Sequence, residues 1–189
     1  KIAKEIAKIT NTVQGNCAVF FPSYTIMNEV VKHFKLYSQK TILQEEQGMK
    51  KEKRNQLIEV FKQCKKEGAI LFANASGSFS QSVDLPGDLL KCVIVVGLPL
   101  KKPDTITKEL IQYYEEKFPT KGVDYAYVFP AITKCLQSAG RCIRTENDKG
   151  VIIFLDERYI LPRYRKCFPS ELNLQLSADP IAQINQFLY

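Results

Sequence analysis

The sequence predicts an α/β domain of three layers, a mainly parallel central sheet flanked by helices. Two observations predict it: short apolar runs without polar alternation recur along the chain, and amphipathic helical stretches separate them. Strands that alternate leave one face in water, whereas uninterrupted apolar runs must be covered on both faces. With 189 residues, 45% hydrophobic and 25% charged, the chain is long enough to bury one substantial core. No repeat, low-complexity tract or linker divides it, so residues 1–189 count as a single domain.

The elements follow in order. Lys1-Ile2-Ala3-Lys4-Glu5-Ile6-Ala7 opens as an amphipathic helix. It carries an acidic residue and lacks an apolar core with a small-residue cleavage site, so it does not read as a signal peptide. Its abrupt start is expected of a piece cut from a longer chain. Cys17-Ala18-Val19-Phe20-Phe21 has strand length and is stopped by Pro22-Ser23. A helix is expected from Tyr24 to Phe34, with Ile26, Val30 and Phe34 on one face. Thr41-Ile42-Leu43 is a short strand. Lys50 to Lys66 is an amphipathic helix, with Leu57, Ile58, Phe61 and Cys64 inward and basic residues outward. Ala69–Ala73 and Cys92–Val96 are buried-type strands. Pro103 opens a helix to about Lys117, since proline is tolerated in a first turn. Phe118 to Tyr127 is the least regular stretch and reads as a loop or small insertion. Pro130 opens or kinks a helix running to about Arg144, Val151–Leu155 is the last core strand, and Pro180 starts a terminal helix.

Composition narrows the function classes. No apolar run reaches the roughly 18 residues that a membrane span needs, so no membrane partner is expected. Cys17, Cys64, Cys92, Cys135, Cys142 and Cys167 contain no C-x-x-C pair, so no metal site is expected among them. They read as buried reduced thiols, which points to an intracellular reducing compartment: the cytoplasm, or the nucleus in a eukaryote. His33, the single histidine, ends an apolar helical pattern and reads as structural. The net charge of +7, from 27 basic and 20 acidic residues, is compatible with nucleic acid and equally with a basic soluble surface.

Ligands of open α/β sheets collect at the carboxyl ends of the strands. Phe21-Pro22-Ser23-Tyr24, Ser76 to Gly87, and Gly97-Leu98-Pro99 each follow a strand directly. The middle stretch is rich in small residues and holds Asp84. By composition it is a plain surface loop; the sharper alternative is a backbone that approaches a phosphate closely. In the helix that follows Pro130, Gln137, Arg141 and Arg144 share one face at spacings i, i+4, i+7. Ile132, Leu136, Ala139 and Ile143 fall opposite, against the sheet. Gly140 inside that helix costs roughly 1 kcal/mol against alanine, so close packing or close backbone approach is expected there. Two arginines on one face are either a solvated basic surface or a clamp for a triphosphate.

Gln137-Ser138-Ala139-Gly140-Arg141-Cys142-Ile143-Arg144 resembles the Q-x-x-G-R-x-I-R signature, motif VI, of the XPD/DinG branch of superfamily 2 helicases. Gly77 to Gly87 resembles motif V of that branch, G-x-F-x-E-G-x-D-x-x-G. Gly15-Asn16 with Phe20-Phe21-Pro22-Ser23-Tyr24 resembles its motif IV region, and Val96-Gly97-Leu98-Pro99 and Asp156-Glu157-Arg158-Tyr159 match in the same order. Together they span residues 13 to 166. The resemblance implies the second of two RecA-like motor lobes that clasp ATP between them, in a 5′→3′ DNA helicase expected to be archaeal and XPD-like, with a family-level role in DNA repair. It implies that Arg141 and Arg144 act as arginine fingers on the γ-phosphoryl group. By the same resemblance Gln137 couples that site to the other lobe or to the phosphates, Asp84 fixes the ribose or holds an arginine, and Gly77 belongs to the nucleotide site. Ser23, Tyr24 and Ser78 would contact the backbone of single-stranded DNA. The partners implied are that strand, the first lobe of the same chain and repair-complex proteins.

The chain lacks other parts of such a motor. No glycine is followed by lysine, so the phosphate loop G-x-x-x-x-G-K-[ST] is not present, and there is no D-E-A-H box. The resemblance places those, the Mg²⁺ that accompanies ATP, and any iron–sulfur cluster in the first lobe, so this piece alone would be inactive. One departure stands out: Gln81-Ser82 replaces the Glu-Gly of motif V, which removes a carboxylate and a flexible backbone position. Two other classes remain open. One is a non-catalytic single-strand-binding module using the basic helix around Lys50 to Lys66; the other is a protein-interaction lobe of a decayed helicase. A decayed motor has no physical need to keep Gln137, Arg141 and Arg144, and a pure binding module would ignore ATP.

Overall fold

A computed structural model of the chain describes residues 1–81, 89–100, 102–143 and 148–189. Helix α1 (Ile2–Thr12) leads into β1 (Asn16–Phe21), α2 (Tyr24–Phe34), β2 (Thr41–Gln44), α3 (Lys51–Gln63) and β3 (Ala69–Asn74). There follow α4 (Ser78–Gln81), β4 (Leu90–Val96), α5 (Thr105–Lys117), α6 (Phe129–Ala139), β5 (Val151–Leu155), α7 (Pro162–Arg165) and α8 (Ile181–Leu188). All neighbouring strands pair in parallel, in the order β2-β3-β1-β4-β5. The expected three-layer α/β architecture is therefore present.

The apolar runs are covered on both faces. Along β1, Ala18 and Phe20 join one core with Leu71, Val93, Phe61, Phe79 and Ile132. Cys17, Val19 and Phe21 join the other, with Ile6, Met27, Phe34 and Ile184. So α3, α4 and α6 cover one face, and α1, α2 and α8 cover the other. The second core holds a ring stack: Phe72 lies 5.7 Å from Phe21, near parallel, and 4.9 Å from Phe34, edge to face.

Right-handed crossovers connect parallel strands, so reversing the direction of travel across a sheet moves the connecting helix to the other face. The chain runs from β1 outward to β2 through α2, then returns through β3 to β4 and β5 by α3, α4 and α6. The exit from β1 thus leaves to one face, while its neighbours β3 and β4 exit to the other. That opens a crevice beyond the carboxyl end of β1, where ligands of open α/β sheets bind.

Helix ends follow local chemistry. Ser23 caps α2 by accepting from the Ile26 N–H at 3.3 Å, and Asp104 caps α5 by accepting from the Thr107 N–H at 2.8 Å. With Asp104 as cap, Pro103 stands ahead of α5 and does not occupy its first turn. Phe118 to Tyr127 is more ordered than its composition suggests. Asp124–Val128 forms a π-helical turn that runs straight into α6, held by Tyr125 against Tyr114, Phe118 and Phe129.

Asp124 is 5% exposed and receives Arg163 Nε at 2.9 Å and Lys166 Nζ at 2.8 Å, tying this turn to α7. The Lys166 hydrogen bond, then that of Arg163, hold its carboxyl below the ordinary value of 3.8 against the opposing effect of burial. A depressed folded value means that the stabilisation is complete above the unfolded value and drains away as pH falls through the folded one. Asp124→Asn is expected to cost about 1–2 kcal/mol at neutral pH. Urea unfolding at successively lower pH should show that difference closing as pH falls through the depressed carboxyl value.

All six cysteines are free thiols, and Cys17, Cys92, Cys135 and Cys142 are buried. Burial is the chief cause that pushes Cys135 up to about 11 and Cys142 up to about 12, so both are protonated at neutral pH. Among the described residues no three His, Cys, Asp or Glu side chains gather to hold a metal ion, and no helix is long and apolar enough to cross a membrane.

Candidate functional site

The carboxyl ends of β1, β2, β3, β4 and β5 deliver Pro22–Tyr24, Glu45, Ala75–Ser78, Gly97 and Asp156 to one edge of the sheet. The Ala75 N–H donates to the Phe21 carbonyl at 2.8 Å, which fastens the β3 exit to the β1 exit. Gly97 takes φ +68°, and a Cβ there would meet Pro22 Cγ at 3.2 Å and Asp156 Oδ2 at 3.8 Å. That glycine lets three strand ends nest together.

Ser23 is both the cap of α2 and a surface residue of this crevice. Its hydroxyl accepts from Ile26 and retains its own proton for donation. With the amino-terminal amides of α2 behind it, the position favours an anion. Tyr24, next along, is half-buried, and its phenol is pushed up by burial first and then by the charge and hydrogen bonding of Glu45. Gly15-Asn16 does not join them. Asn16 is buried at the opposite edge, donating to the Phe61 carbonyl at 2.7 Å and accepting from the Ala69 N–H at 2.7 Å. It ties β1 to α3 and β3, a framework role.

The turn after β3 is built around a carboxylate. Glu45 Oε2 accepts from the Asn74 N–H at 2.8 Å, and Oε1 accepts from the Ser78 N–H and hydroxyl at 2.9 Å each. A Cβ on Gly77 would overlap that carboxylate. Gly77 is thus required by the approach of Glu45, and Ser78 faces Glu45 with both of its donors. Nothing in the sequence singles out Glu45, since Gln44-Glu45-Glu46-Gln47 reads as a solvated polar run. The one available signal is its position immediately after a strand.

Beyond the turn, α4 meets α6. Ser80 Oγ lies 2.8 Å from Ser138 Oγ, and both residues are buried. Arg141 Nε donates to the Ser80 carbonyl at 2.8 Å. Tyr159 is buried and donates to the Gly97 carbonyl at 2.6 Å while lying 3.2 Å from Cys135 Sγ, which draws α6 to the end of β4. Asp156 pairs with Arg158 at 2.8 and 2.7 Å. Burial would raise its carboxyl, but the Arg158 hydrogen bonds and charge outweigh it and hold it low.

The helix expected to run to about Arg144 stops short of Arg141. Helix α6 ends at Ala139, and Gly140 caps it with φ −62° and ψ −6°. Gly140 therefore lies at the helix end, and its conformation is one that any residue adopts. Past that end Cys142 turns inward and is fully buried, while Ile143 is 44% exposed. Gln137 is exposed on the last turn of α6. Arg144 lies outside the described residues, as do Asp84 and the rest of residues 82–88; Gln81 closes α4. The structure thus brings Ser23, Tyr24, Gly77 and Ser78 to one edge and anchors Arg141 to the same turn through Ser80.

A family model described as the helicase C-terminal domain matches residues 6–175. The chain is 33% identical over 173 residues to a probable ATP-dependent helicase of Methanocaldococcus jannaschii, covering 84% of this chain and 26% of that protein. It is 35% identical over 178 residues to the ATP-dependent DNA helicase DinG of Photobacterium profundum, covering 88% and 24%. Among solved structures, apo XPD superposes with a TM-score of 0.69 at 25% identity, over 87% of this chain and 33% of that one. The chain spans about a quarter of the length of these curated relatives.

Proposed function

Because the chain belongs to the helicase C-terminal domain family, of the XPD/DinG type, we propose that it is the second motor lobe of an ATP-dependent DNA helicase. The observation that carries this reading is the junction of the two motif turns: Arg141 Nε on the Ser80 carbonyl at 2.8 Å, beside the Ser80–Ser138 pair. An arginine finger works only if it is preorganised, because only then does it stabilise developing charge without reorganising. Fixing Nε to the backbone of the neighbouring motif orients the guanidinium plane.

In this reading ATP sits between this lobe and a first lobe that supplies the phosphate loop and holds Mg²⁺. Arg141, joined by Arg144, meets the negative charge that develops on the γ-phosphoryl group. Gln137, exposed on the last turn of α6, couples the nucleotide to the facing lobe, and Asp84 fixes the ribose. A single DNA strand runs over Ser23, Tyr24 and the Ser76–Ser78 turn, and closing of the cleft moves the lobe 5′→3′ along it. Repair of damaged DNA, with repair-complex proteins as partners, is the role expected of such a motor. An iron–sulfur cluster, where the parent has one, belongs to the first lobe.

Steady-state ATP hydrolysis by the parent chain, with and without single-stranded DNA, tests the reading. Turnover that rises with DNA supports it, together with no turnover by residues 1–189 alone. Strand binding without turnover would leave the alternative, a decayed lobe that binds DNA or protein, to which Gln81-Ser82 in place of Glu-Gly lends some support.

A further inference from the structure

Glu45 belongs to none of the motif segments, yet it is 2% exposed and stands where they meet. A buried carboxylate is costly unless hydrogen-bonded on each oxygen. Here both oxygens are engaged, by the Asn74 N–H, the Ser78 N–H and the Ser78 hydroxyl. The half-buried phenol of Tyr24 is pushed up by burial and by the charge of the same group. Gly77 has no room for a Cβ because the carboxylate comes so close. One side chain just past β2 therefore organises the turn after β3.

We propose that Glu45 is a positioning residue for the single-strand contact, fixing the Ser76–Ser78 turn beside Tyr24, where the Ala75 N–H already fastens it to the β1 exit, so that the two turns grip the strand as a unit. The proposal rests on the DNA-contacting role given above to Ser23, Tyr24 and the Ser76–Ser78 turn. Phosphodiester oxygens only accept hydrogen bonds, and the hydroxyl proton of Ser78 is directed at Glu45. Ser78 then acts by shaping the turn, which leaves the exposed Ser76 beside it to meet the strand. A shared anchor makes the contributions of its dependents non-additive.

The test uses the parent chain and an oligo-dT strand, reading anisotropy for binding and ATP turnover for stimulation. Glu45→Gln retains the size of the side chain but sets an amide N–H₂ against a backbone donor. It is expected to raise the DNA concentration for half-maximal stimulation about tenfold, the size of one charge-assisted contact. Turnover at saturating DNA should recover, which a merely misfolded fraction would not do. Tyr24→Phe and Ser78→Ala, which disturb packing least, should each weaken binding, and the pair should weaken it no more than the worse single change. Unaltered or tighter binding by Glu45→Gln overturns the proposal, and so does full additivity of the two conservative changes. A wild-type chain that neither binds oligo-dT nor responds to it overturns this proposal and the helicase reading together. A responsive wild type with an indifferent Glu45→Gln overturns this one alone.

Discussion

Replacing Arg141 by alanine in the parent chain is expected to lower DNA-stimulated ATP turnover by about 10³-fold or more, the range attributed to arginine fingers. That corresponds to about 4 kcal/mol of transition-state stabilisation. The loss should fall on turnover, because the charge that an arginine finger meets exists fully only in the transition state. ATP affinity should change far less. Arg141→Lys keeps a positive charge but not the planar fork, and its single ammonium cannot both hold the Ser80 carbonyl and reach a phosphate oxygen. It should therefore recover only a small part of the activity. Single-strand binding without nucleotide separates this from a collapse of the turn, and should stay within about threefold of wild type. A variant that hydrolyses ATP at the wild-type rate would remove Arg141 from the nucleotide site.

Phe72→Ala is expected to destabilise the domain by about 3–5 kcal/mol, the range for deleting a fully buried phenyl ring. Phe72 is 0% exposed in the middle of β3, with Phe21 stacked on one side and Phe34 edge-on at another. The rings are held by three different elements, so collapse around the cavity would require moving β1, α2 or β3, each hydrogen-bonded in place. Against a total stability of about 5–15 kcal/mol, the loss leaves the fold marginal. In urea the midpoint should fall by about 2 M with little change in slope. A shift smaller than about 0.5 M would mean that this face of the sheet is not packed as described.

The sequence by itself determined the architecture. Uninterrupted apolar runs such as Cys17–Phe21 and Ala69–Ala73 have only one stable environment, a sheet covered on both faces, because no polar residue can be turned to water. Strand exits were equally legible, since Pro22-Ser23 and Gly97 break the extended pattern with residues whose backbone chemistry stops a strand. Motif order then pointed to Ser23, Tyr24, Gly77, Ser78 and Arg141 without any knowledge of their spacing in space. Periodicity failed at Arg141, because the 3.6-residue period holds only while the helix lasts. Where α6 ends was decided by packing: Cys142 is buried, drawn in beside β4 and β5.

Only the tertiary structure decided which residues act on one another. Glu45 and Ser78 are separated by 33 positions, and Ser80 and Arg141 by 61. No local pattern encodes such pairs. They exist because a parallel sheet brings every strand exit to the same edge, whatever the length of chain between them. A glutamate in a polar run and a glycine in a flexible-looking turn thus acquire meaning together, as a carboxylate and the space that it needs.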